Sequence, residues 1–90
     1  MNSTAQGISD AKVLVDQWVA AKKISRSVGS LINAELTLAE RELARGHTSI
    51  AKVLLQAAIV DVKVLAFFGA IAAADAEQLI ALVTSAIGSI

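Results

Sequence analysis

SIAKVLLQAAIVDVKVL, residues 49–65, is the stretch whose conformation decides the fold. Val53, Ile59, Val60, Val62 and Val64 are β-branched, a composition that favours strands. A strand would alternate apolar and polar positions and would end within about ten residues. Neither condition holds. Ala51, Leu54, Leu55, Ala58, Ile59, Val62 and Leu65 recur at spacings that fit one helix face, and seventeen residues pass without a turn signal. The segment therefore reads as a helix with a wide apolar stripe. Val53 and Val60 widen that stripe, which predicts that this helix is the most central of the fold. Lys52, Gln56 and Lys63 form a polar stripe beside it, as on an amphipathic helix of a folded domain. The longest uninterrupted apolar run, residues 64–74, falls short of the ~20 residues a membrane span needs.

Three more helical patterns flank it. The first covers about residues 10–23, with Ser9 as the expected N-cap, Asp10 in the first turn and Ala11, Leu14, Val15, Trp18 and Val19 on one face. The second covers residues 25–45, with Ser25 as N-cap, Ile24 before it as a hydrophobic staple, and Val28, Leu31, Ile32, Leu36, Ala39 and Leu43 as the apolar positions. Gly46 is the stop signal, since the residue after a last helical turn commonly takes a left-handed conformation. His47, Thr48 and Ser49 then form a tight connection in which Thr48 is the expected cap, so the second and third helices are antiparallel. After Phe67 and Phe68, Gly69 marks a break, and Asp75 caps or opens a last helix carrying Ala76, Leu79, Ile80, Val83 and Ile87. The chain has no proline. The expected architecture is an all-α, up-down-up-down four-helix bundle over residues 9–90, preceded at residues 1–8 by a flexible leader or an expression remnant.

Ninety residues are enough for one domain. The chain balances eight basic against eight acidic residues, which argues against a nucleic-acid surface, because such surfaces carry a surplus of Lys and Arg. The absence of Cys removes disulfides, thiolate metal sites and cysteine nucleophiles. Residues 1–7 carry neither the basic nor the apolar region of a signal peptide. Apolar residues make up 56% of the chain, more than one thin core readily hides, and that excess points to a partner.

Few residues suggest chemistry. His47 is the only imidazole and falls on a turn, where it supports the end of the second helix rather than a metal. Glu35, Glu40, Glu42 and Glu77 lack the Glu-x-x-His partners of a bundle di-metal site, and Glu42 is placed to pair with Arg45. The hydroxyl residues cluster near helix boundaries, where they serve as caps. No catalytic residue, cofactor or metal site is expected. Trp18 reads first as a core anchor and otherwise as a binding platform. Phe67 and Phe68 are adjacent, so a helix cannot point both inward; one plugs the end of the bundle, or they form an interface with Ile71.

The run from Leu31-Ile32-Asn33-Ala34 through Leu43-Ala44-Arg45-Gly46-His47-Thr48, followed by Ala51, Leu54-Leu55 and Ala58-Ile59-Val60, is similar to the FIMAH domain. Gln78-Leu79-Ile80 resembles the Gln-Leu-Ile segment of that family's last helix, and the likeness spans residues 11–87. The chain departs from the pattern at Ala58, where the family more often has Phe, and at residues 67–71, which replace a polar loop. The resemblance implies a non-catalytic accessory module of a larger bacterial protein, extracellular or at the cell surface, that contacts other domains or another protein. The alternative expectation is a small self-associating bundle, a homo-oligomer that could equally be cytoplasmic, with its interface around Phe67, Phe68 and Ile71.

Overall fold

The computed structural model describes residues 3–90 and contains four helices in succession: α1 (Ser3–Ala20), α2 (Arg26–Ala44), α3 (Thr48–Phe67) and α4 (Ala73–Gly88). No strand occurs among the described residues. The helices form a ring in which α1 packs on α2, α2 on α3, α3 on α4 and α4 on α1. Side-chain contacts show the directions. Lys12 Nζ reaches Glu40 Oε1 at 2.7 Å and Asn33 Nδ2 donates to Asp16 Oδ1 at 2.8 Å, so α2 runs back along α1. Lys23 meets Asp75 at 3.2 Å near one end of the α1–α4 pair, and Gly7 lies against Ala86 near the other. This is the up-down-up-down bundle that the sequence predicts, with a radius of gyration of 12.2 Å against about 12 Å for a compact domain of this length.

Each helix buries one narrow seam. Ile8, Ala11, Val15 and Trp18 of α1 face Ile32, Leu36 and Ala39 of α2, Ala51, Leu55, Ala58 and Val62 of α3, and Ala76, Leu79, Val83 and Ala86 of α4 around a shared core. Within each helix the steps are three or four residues, the spacing of side-by-side bundle helices. Trp18 is a core anchor. The same seam extends in α1 to Thr4, which is buried, so residues 3–8 are helix rather than the expected leader; residues 1–2 lie outside the described residues. Ser9 is accordingly an exposed position inside α1 and not its cap. The Ser, Thr and Gly content of residues 3–9 resembles a loop, but the step from Thr4 to Ile8 to Ala11 continues the core seam. α3 is not the central helix, since it takes one place in the ring like the others, and Val53 and Val60 are 62% and 57% exposed.

Three connections end in the same way. At each, the residue after the C-cap is left-handed: Lys22 (φ 60°), Gly46 (φ 80°) and Gly69 (φ 79°). Its N–H and the next one turn back onto the closing helix: Lys22 to Val19 O and Lys23 to Trp18 O, Gly46 to Leu43 O and His47 to Glu42 O, Gly69 to Ala66 O and Ala70 to Leu65 O. These are Schellman turns, which satisfy carbonyls that the helix end leaves open and reverse the chain within a few residues. Lys22 holds this conformation with a side chain attached, which costs about 1 kcal/mol relative to Gly. Ser25 caps α2 as expected, accepting from Val28 N–H at 3.1 Å. Thr48 does not cap α3. The second Schellman bond fixes His47, which becomes the N-cap without a side-chain capping bond and accepts the Ala51 N–H on its carbonyl. Ala72 is the N-cap of α4, and Asp75 sits in the first turn, where its charge suits the helix dipole and Lys23.

Gly29 determines how closely α1 and α2 approach. A Cβ there would collide with Val19 Cγ2 and meet Val15 Cγ1 at 3.6 Å and Ile24 Cδ1 at 3.7 Å. Ile24, the staple residue, packs into the space that Gly29 leaves. Gly29→Ala is expected to destabilise the bundle by about 1–3 kcal/mol despite its better helix propensity, because the methyl overlaps Val19 Cγ2 and displaces that β-branched side chain from its place against α2. Urea denaturation measures this directly; an unchanged or raised midpoint would contradict the close approach.

Candidate interaction surface

The groups suspected of chemistry are dispersed. Glu40 pairs with Lys12, and Glu42 accepts from His47 Nδ1 at 2.7 Å and lies 3.6 Å from Arg45, as the sequence predicts for the Glu42–Arg45 pair. His47 thereby ties the turn to α2 through both its ring and its backbone N–H, which donates to Glu42 O. Glu77 is exposed on α4. Among the described residues no three His, Cys, Asp or Glu side chains gather in a metal-holding arrangement. A surface groove of about 730 Å³ follows the α1–α2 seam past Asp16, Gly29 and Asn33. Its two guanidinium groups, Arg26 and Arg41, stand fifteen positions apart on α2, about 22 Å, and so cannot converge on one small ligand.

Glu35 has the one clearly perturbed acid among the described residues. It faces Asp61 across the α2–α3 groove, and its pKa is pushed up from the ordinary 4.5 to about 7. Burial is the largest cause, followed by the hydrogen bond to Asp61 and repulsion from that carboxylate. Glu35 Oε1 is closed off from solvent and lacks a partner when the carboxyl is ionised. A proton on Glu35 supplies the donor that two carboxylates otherwise lack. Sequence reading missed this pair because the two acids lie 26 positions apart and only the α2–α3 register brings them together.

The more extensive feature is apolar and faces outward. Ile50, Val53, Val60, Val64 and Phe67 are all exposed on α3, and Ala57 fills the remaining place in a sequence of steps of three, four, three, four and three. This is the a/d spacing of a coiled-coil seam. It lies opposite the buried seam: from Ala51, Leu55, Ala58 and Val62, two residues on brings Val53, Ala57, Val60 and Val64, a rotation of about 200°. On α2, Leu31 and Leu38 are exposed as well. Glu35 neighbours both by helical spacing, and Asp61 neighbours Ala57 and Val64. The acid pair therefore lies in the groove between two outward apolar stripes.

The four expected interface residues divide in two. Phe67 and Phe68 are 83% and 77% exposed and contact each other edge to face, with ring centroids 5.2 Å apart. Neither plugs the bundle. Ile71, only 1% exposed, does so instead and is core, as is Trp18, so neither of those two lies on an outer surface. The Schellman turn at Gly69 accounts for the split, because it reverses the chain and sends Ile71 inward past the end of α3 while the rings stay outside. No helix among the described residues is long and apolar enough to cross a membrane. No family model matches the chain, and neither do any curated protein or solved structure. The FIMAH-like pattern thus rests on the residues quoted above.

The Glu35–Asp61 pair predicts a pH dependence of stability. The folded pKa lies above the unfolded value, so below about pH 4.5 both states carry the proton and nothing is lost. Between about 4.5 and 7 the unfolded chain releases its proton first, stability falls as pH rises, and above about 7 the full penalty is present. Glu35→Gln is expected to gain about 1 kcal/mol at pH 8, a figure reduced for the solvent access of the pair, and little at pH 4. Denaturation at both pH values tests it; an equal effect at the two would contradict the shared proton.

Proposed function

We propose that the chain is a non-catalytic helical interaction module that docks through the outward faces of α3 and α2. The observation that carries this reading is the uncharged seam from Ile50 to Phe67, extended by Phe68 and flanked by Leu31 and Leu38. Scattered surface hydrophobes are ordinary, but a contiguous apolar stripe about 25 Å long is the mark of a binding surface. Glu40 is engaged by Lys12, and Glu42 by His47 and Arg45, so these side chains serve to hold the bundle together. The FIMAH-like pattern supports a setting as an accessory domain of a larger bacterial surface or secreted protein.

The double variant Val60→Glu/Phe67→Glu tests the reading, since both side chains lie outside the core. At sub-micromolar concentration the native chain should enhance the fluorescence of an apolar dye, and the variant should lose most of that signal with its helicity unchanged. A native chain without dye binding, or a variant that retains it, would contradict the proposed surface.

A further inference from the structure

The fold leaves two aromatic rings outside its core, Phe67 and Phe68, and both stand at one end of the bundle. α1 and α3 finish at that end, so the α1–α2 and α3–α4 connections share it. Lys23 meets Asp75 of α4 there at 3.2 Å, and Ala70 lines the same hollow, about 430 Å³, as Lys22, Lys23 and Arg26. Only Gly69 stands between Ala70 and Phe68, so their Cα atoms are about 7 Å apart at most. The bundle measures 34 × 22 × 18 Å with its helices along the long axis, which makes this end a face of about 22 by 18 Å. Three cations and two rings share it.

Residues 20–26 and 67–72 hold Lys22, Lys23 and Arg26, all exposed, and no acid. Asp75, just beyond, is occupied by Lys23, while Asp16, Lys63 and Glu77 lie about a turn further in. The chain as a whole is neutral, so this surplus is a matter of placement. We propose that this end of the bundle docks onto an anionic membrane surface, with Phe67 and Phe68 entering the headgroup–acyl boundary and Lys22, Lys23 and Arg26 meeting lipid phosphates. The proposal goes beyond the α3–α2 docking face and shares with it only the two rings. Shape supports a bilayer as the partner. The rings pack on each other edge to face and stand out from the turn, forming a protrusion that needs no complementary pocket. In a peripheral contact of this kind the apolar rings sink below the headgroups, and the cations stay level with the phosphates. Charge supports an anionic surface, since each Lys or Arg near one strengthens binding roughly fivefold.

Co-flotation with lipid vesicles tests this. The native chain should float with vesicles of phosphatidylglycerol and phosphatidylcholine in equal parts, and should stay behind with phosphatidylcholine alone. Lys22→Gln/Arg26→Gln should weaken binding about twentyfold, and Phe68→Ser roughly tenfold or more. All three side chains are exposed, so both variants should keep the native helicity. The chain has no native cysteine, so a polarity-sensitive dye can be attached at Ala72→Cys on this end or at Ser49→Cys on the opposite one. Only the dye at position 72 should brighten on the mixed vesicles. A native chain that binds neither vesicle would overturn the proposal and leave the rings to a protein partner. Equal binding to both vesicles would overturn the role of the cations. Brightening at position 49, or binding lost in Val60→Glu but kept in Phe68→Ser, would put the membrane contact elsewhere and overturn the assignment to this end. Loss of vesicle binding in Lys22→Gln/Arg26→Gln with apolar-dye binding intact would separate this contact from the α3 seam, as the proposal expects.

Discussion

A helix in a ring of four touches two neighbours and the core, and the rest of its circumference faces water. α1, α2 and α4 largely respect that division. α3 does not, because the face turned away from Leu55, Ala58 and Val62 carries Val53, Ala57, Val60 and Val64 at the same heptad spacing. One bundle can bury only one of the two seams. The placement of everything else follows from which one it buries, including the groove that holds Glu35 and Asp61 and the exposure of both Phe rings.

The turns keep that arrangement in place. Schellman bonding at Lys22, Gly46 and Gly69 leaves each connection only a few residues long, so the helices are bound to lie antiparallel beside their sequence neighbours. Gly29 draws α1 and α2 together, and Gly7 does the same for α1 and α4, where a Cβ would sit 3.2 Å from Ala86 Cβ. Ile71 seals the end of the core and so releases Phe67 and Phe68 from any packing duty.

Much of the fold was legible in the chain, and for a simple reason. Helix existence follows from periodicity, and Gly46 and Gly69 signal their turns because a left-handed residue is strained with a side chain attached. Lys22 carried no such signal, since a lysine gives no hint of positive φ. Residues 3–8 were masked by their loop-like composition, although Thr4 and Ile8 continue the seam of α1. The outer seam was the hardest feature to see, because Val53 and Val60 read naturally as a widening of the inner stripe. Periodicity alone cannot tell one broad face from two opposite ones when β-branched residues fill both. The acid pair required the α2–α3 register, which no local pattern encodes.

The central claim is that the outer seam of α3 is an interface and not idle surface. Its most direct test is retention on a phenyl-substituted hydrophobic column, comparing the native chain with Val53→Lys/Val64→Lys at matched helicity; both positions are exposed. The native chain should be retained well beyond the double variant. Equal elution of the two folded chains would contradict the claim.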